Sequence, residues 1–129
     1  MTVDVELEST PDAAAAARQA LDDFSGQVPE RRLRDVRLLV SELVTNAVRH
    51  AGLSAGDRIR LIVRVHEAVL RVEVDDPGTG FELRPPHPDP ARASGWGLYL
   101  VDALSDRWGM DRGGRGGTRI WFELDGALA

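Results

Sequence analysis

The chain has no cysteine and no lysine, and its aromatic residues are three Trp, three Phe and one Tyr. Without Cys, disulfides and thiolate zinc sites are excluded. All 16 basic residues are Arg, which excludes a P-loop lysine, a Schiff base and a Ser-Lys dyad. A formal net charge of -5 argues against a nucleic-acid partner, which calls for a basic footprint. The opening residues lack the basic start and apolar run of a signal peptide, and no run reaches membrane-spanning length. A cytoplasmic location with no membrane partner is therefore expected. What remains is a 129-residue chain, 43% hydrophobic and 29% charged, sized for a single globular domain over 1–129 with one core.

The most informative stretch is 38–52, LLVSELVTNAVRHAG. It contains no Pro and no Gly before Gly52, the natural helix stop. At about 100° per residue, Val36, Leu39, Val40, Leu43, Ala47 and Ala51 share one apolar face. Glu42, Asn46 and His50 follow at i, i+4 and i+8 as a polar stripe beside that face. The stripe thus falls at the edge of a core, where a cleft can open. A carboxylate can serve as a general base, and an amide oxygen is a hard ligand suited to Mg²⁺. Half-buried polar residues of an ordinary amphipathic helix account for the same spacing equally well.

Along the chain, alternation over 3–8 predicts a half-buried strand at a sheet edge. Thr10, Pro11 and Asp12 read as N-cap, first helical Pro and acidic first turn of a helix over 11–24, ending near Gly26. A long helix follows over 29–51, then a loop over 52–57. Residues 58–66 and 69–75 alternate as two strands joined at Glu67 and Ala68, an antiparallel hairpin. A Pro-rich run occupies 81–94, a length that in so small a domain marks a functional or disordered segment. A helix over 98–105, a short strand over 108–111 and a closing strand over 118–124 complete the pattern. It predicts a two-layer α/β sandwich with a mainly antiparallel sheet and helices on one face.

Three glycine-bearing turns punctuate this pattern. Asp76-Pro-Gly78-Thr-Gly80 leaves a strand, either as a plain turn or as a carboxylate held against a planar ligand such as adenine. Gly95-Trp96-Gly97-Leu98 opens a helix, where free N–H groups suit phosphate. Gly116-Gly117-Thr118 is weaker, and a hairpin turn explains it. Ser41 and Ser94 have no base-and-orienter partners, and His66 and His87 have no metal-ligand spacing with His50. Asp22 and Asp23 fit a solvated helix face, whereas alternation sends Asp75 and Asp76 to opposite sides of a strand. Trp96, Trp108 and Trp121 are expected in the core or against the Pro-rich run.

In this order, Glu42-x₃-Asn46-x₃-His50, Asp76-x-Gly78-x-Gly80, Gly95-x-Gly97-Leu98 and Gly117-Thr118 resemble the N box and three glycine boxes of the GHKL, or histidine kinase-like, ATPases. That family includes histidine kinases, gyrase and the anti-sigma factor kinases. The resemblance covers nearly the whole chain and points most to stand-alone anti-sigma factor serine/threonine kinases of actinobacterial type. It implies a Bergerat-type fold binding ATP and Mg²⁺, with a lid at 81–94. By the resemblance, Asn46 holds Mg²⁺, Asp76 takes the adenine amino group, and Gly78 and Gly80 shape the adenine pocket. Gly95, Trp96, Gly97 and Leu98 border the phosphates, Thr118 adds a contact near the base, and Glu42 is the catalytic residue activating the accepting serine. His50 either orients Glu42, touches phosphate or simply packs.

The implied function is sequestration of a sigma factor and phosphorylation of a STAS-type anti-sigma factor antagonist, with a homodimer as a candidate assembly. The alternative is a module of the same fold that regulates by docking alone. A histidine-kinase catalytic domain fits less well, since no phosphoacceptor helix precedes the motifs.

Overall fold

A computed structural model describes residues 1–50, 56–77, 96–112 and 117–127, except the side chains of His50, Trp96 and Gly97. The described elements are β1 Thr2–Glu8, α1 Ala13–Ala20, a 3₁₀ turn Leu21–Phe24, α2 Glu30–His50, β2 Arg58–His66, β3 Val69–Asp76, α3 Trp96–Leu104, β4 Arg107–Arg112 and β5 Thr118–Leu124. The five strands form one antiparallel sheet in the order β1-β2-β3-β5-β4. Because β5 lies between them, β3 and β4 run in the same direction, with α3 as the crossover.

Alternation divides the sheet into two unlike faces. Val3, Leu7, Ile59, Leu61, Val63, Leu70, Val72, Val74, Ile120, Phe122 and Leu124 point inward to a single core shared with the helices. Leu33, Val36, Leu39, Val40, Leu43, Val44 and Ala47 of α2 are all buried there. Val44 joins the expected stripe because α2 packs against α1, α3 and β3 together, which takes a wider apolar face. The sandwich with helices on one side is as the sequence predicts.

The first helix departs from expectation. Residues 10–12 form a turn in which the Thr10 hydroxyl accepts from Asp12 N–H and the Thr10 carbonyl from Ala13 N–H. The helix therefore starts at Ala13, and its end tightens into the 3₁₀ turn. In that turn residues three apart eclipse, which places both Leu21 and Phe24 wholly in the core. Gly26, at φ 85°, then reverses the chain toward α2. Asp22 and Asp23 are exposed, as expected, and Asp22 pairs with Arg37 at 2.7 Å.

The outer face of the sheet carries charge in place of helices. Asp4 pairs with Arg60, Asp75 with Arg119, and Glu123 with both Arg71 and Arg107. The Arg107 guanidinium, then Arg71, hold the Glu123 carboxyl below its ordinary value. Trp121 is the exception among the expected core aromatics. Its register places it on this outer face, where Arg71 stacks 4.3 Å from the ring centroid and the indole fills the space above Gly109. Trp108 does pack on the core, donating from Nε1 to Asp102 at 2.8 Å.

The β2–β3 hairpin turns through two residues at positive φ, Glu67 at 51° and Ala68 at 66°. That pair of angles suits Asn-Gly, and left-handed backbone costs other residues about 1 kcal/mol or more each. Replacing Glu67 with Asn and Ala68 with Gly together should stabilise the fold by about 1 kcal/mol. Urea denaturation should show a raised midpoint at an unchanged slope; an unmoved midpoint would contradict a strained turn.

Candidate nucleotide site

The site is built outward from the end of β3. Leu70, Val72 and Val74 face the core, and the next residue of that parity is Asp76, only 6% exposed. An inward parity at the strand end brings a carboxylate to the margin of an apolar layer, where burial demands a hydrogen-bonding partner. Its neighbour Asp75 points to the opposite face, as alternation predicts, and receives Arg119 in two bonds of 2.7 and 2.8 Å.

Across the ladder, the register partner of Asp76 is Thr118, so the structure brings these two predicted residues together. Gly117, just before it, is pressed against the same strand end. A Cβ at Gly117 would lie 1.9 Å from the Asp76 carbonyl oxygen and 2.9 Å from Pro77 Cα. Gly117 is thus more than the turn glycine or box residue expected from the sequence, since the end of β3 leaves no room for a Cβ. Only its place immediately before a strand hinted at this approach.

Glu42 and Asn46 are half-buried on α2, one turn apart, beside the buried Leu43 and Ala47. Ser41 is committed elsewhere: its hydroxyl donates to the Arg37 carbonyl at 2.7 Å and accepts from Arg18 at 3.1 Å. His50 is the last residue of α2. Trp96 and Gly97 are the first two residues of α3, so their backbone N–H groups lie where a helix leaves donors unmatched. Leu98 sends its side chain into the core, so it offers a ligand only its backbone. Gly78, Gly80, Gly95 and the expected lid at 81–94 lie outside the described residues, as do 51–55 of the expected loop. The four elements carrying described site residues are in mutual reach, since α2 packs on both β3 and α3 and β5 pairs with β3.

The profile of the histidine kinase-like ATPase domain matches residues 7–124. The chain belongs to the histidine kinase-like ATPase family. Its similarity to the serine-protein kinase RsbW of Oceanobacillus iheyensis is 26% identity over 118 residues, covering 81% of this chain and 75% of that one. The anti-sigma F factor of Pasteuria penetrans is 31% identical over 117 residues, covering 81% of this chain and 77% of its own. Among solved structures, the histidine kinase domain of the Erythrobacter litoralis EL346 blue-light activated histidine kinase superposes with a TM-score of 0.60 at 24% identity. That superposition covers 88% of this chain and 59% of the kinase chain, and it speaks for the fold.

Members of the histidine kinase-like ATPase family raise the question of a metal. Among the described residues no group of three His, Asp or Glu could hold one. The amide oxygen of Asn46 is still a hard donor of the kind that suits Mg²⁺. That ion keeps several waters and takes much of its coordination from substrate phosphates. Among the described residues no helix is long and apolar enough to cross a membrane.

Proposed function

We propose that this protein binds ATP with Mg²⁺ and is an anti-sigma factor and serine/threonine kinase, which sequesters a sigma factor and phosphorylates a STAS-type antagonist. The observation that carries the nucleotide reading is the Asp76–Thr118 rung, a nearly buried carboxylate at a strand end opposite a hydroxyl residue. Relatives called serine-protein kinase and anti-sigma F factor, aligned over most of the chain, support the choice of partner.

In this reading Asp76 accepts a hydrogen bond from the adenine amino group, and Thr118 adds a contact beside the base. The N–H groups of Trp96, Gly97 and Leu98 at the start of α3 bind phosphate oxygens. Asn46 holds Mg²⁺, which when bound neutralises charge on the phosphates. Glu42 takes the proton from the antagonist's serine or threonine hydroxyl as that oxygen bonds to the γ-phosphorus. The bond between the γ-phosphorus and the β,γ-bridging oxygen breaks, and ADP departs with that electron pair. Homodimerisation belongs to the same reading, and sedimentation velocity reads it.

Calorimetric titration of the folded protein with ATP and Mg²⁺ tests the nucleotide site. Saturation near one nucleotide per chain is expected, lost in Asp76→Asn. No saturable binding by a folded sample would overturn it. Transfer of labelled phosphate to a STAS-type antagonist then separates a kinase from a module that binds ATP and acts by docking.

A further inference from the structure

We infer that Arg119 is a positioning residue for adenine recognition, acting from the opposite face of the sheet. The inference rests on the adenine role proposed for Asp76. It begins with where the β3–β5 ladder stops. Its last rung is Asp76 opposite Thr118, and the rung before it is Asp75 opposite Arg119. Beyond the last rung come Pro77, which has no N–H to give, and Gly117, whose backbone is already in contact with Asp76. Among the described residues, the backbone pairing of the two strands stops at Asp76 and Thr118.

The holding contact is the rung just inside. Arg119 grips Asp75 with two parallel bonds, Nε to Oδ1 at 2.7 Å and Nη2 to Oδ2 at 2.8 Å. A planar fork on a carboxylate sets orientation as well as distance, unlike a point charge. The pair is largely shielded, with side-chain exposures of 29% and 18%, and Arg119 also lies 3.8 Å from Glu73. Arg60 stands opposite Asp75 on the other side, but its guanidinium is committed to Asp4 by bonds of 2.9 and 2.6 Å. Each Asp75 oxygen accepts a bond from Arg119, and the clamp ties β5 to β3 one residue from the site. Its side chains face away from the ligand, so it acts only through the placement of Asp76 and Thr118.

The test compares ATP with inosine triphosphate, which carries a carbonyl where adenine carries its amino group. The wild type should prefer ATP, because the Asp76 carboxylate accepts from the amino group and repels the carbonyl. In Arg119→Ala the preference for ATP, read as the Kd for inosine triphosphate divided by the Kd for ATP, should fall roughly tenfold, the lower end for a hydrogen bond to a charged group. Affinity for inosine triphosphate should not fall, since a displaced Asp76 repels the carbonyl less. Arg119→Lys keeps the charge without the fork and should fall between, and Asp75→Asn should match Arg119→Ala, which guards against one variant failing to fold. Equal weakening of both nucleotides with an unchanged ratio would mean a merely structural role and overturn the inference. A wild type with no preference would overturn the adenine reading and the inference with it.

Discussion

Glu42→Gln will lower phosphate transfer to the antagonist by roughly 10²- to 10⁴-fold, the usual contribution of a positioned general base. ATP affinity and capture of the sigma factor should stay within about twofold of wild type, because removing a base need not remove a binding contact. Glutamine keeps the shape and the hydrogen-bonding reach of glutamate but cannot take the proton. The position supports the role: Glu42 is half-buried beside the wholly buried core face of α2, and Asn46 follows one turn later. That setting limits the rotamers open to the carboxylate and keeps it at the rim of the layer that also presents Asp76. Single-turnover transfer, with binding measured by calorimetry on the same preparations, separates the two effects. Undiminished transfer by Glu42→Gln would remove Glu42 from the chemistry, and a parallel loss of ATP binding would make it a binding residue instead.

Much of this arrangement was legible because the signals behind it are long and uninterrupted. The apolar period of α2 runs from Leu33 to Ala47 without a breaker, so both the helix and its polar margin could be read. The alternation of β2 and β3 foretold that Asp75 and Asp76 separate to opposite faces, and they do: one meets Arg119, the other is buried. Where signals were short, tertiary contacts decided. Thr10-Pro11 has the composition of a helix start, yet the turn it forms closes on its own hydroxyl and carbonyl. Phe24 is reached by a tighter 3₁₀ turn because the core needs both it and Leu21 on one side. Residue type alone suggests a core position for Trp121, but strand parity turns it to the outer face, where Arg71 and Gly109 on neighbouring strands make room for it. The clamp between Asp75 and Arg119 depends on strand register, which the sequence does not state until β3 and β5 are known neighbours.

Gly117→Ala should be more damaging than the same change at Gly26, Gly56, Gly109 or Gly126. The added Cβ would stand 1.9 Å from the Asp76 carbonyl oxygen, with Asp76 C and Pro77 Cα each at 2.9 Å. All three neighbours are backbone, so no side chain can swing aside to relieve the overlap. Either β5 begins farther from β3 or the end of β3 moves, and both displace the Asp76–Thr118 rung. Overpacking of this kind costs about 1–3 kcal/mol of stability. The rung is at the sheet margin, and the core beneath it is formed by other residues, so a cooperative melt at lower temperature is expected rather than loss of the fold. Nucleotide binding should suffer comparably: a misplaced Asp76 forfeits a hydrogen bond to a charged group, roughly 10- to 100-fold in Kd. Thermal unfolding and ATP titration of the same variant give both numbers. Undiminished ATP affinity in Gly117→Ala at unchanged stability would show that the two strand ends are free to part, and the tight rung would then have no part in holding the base.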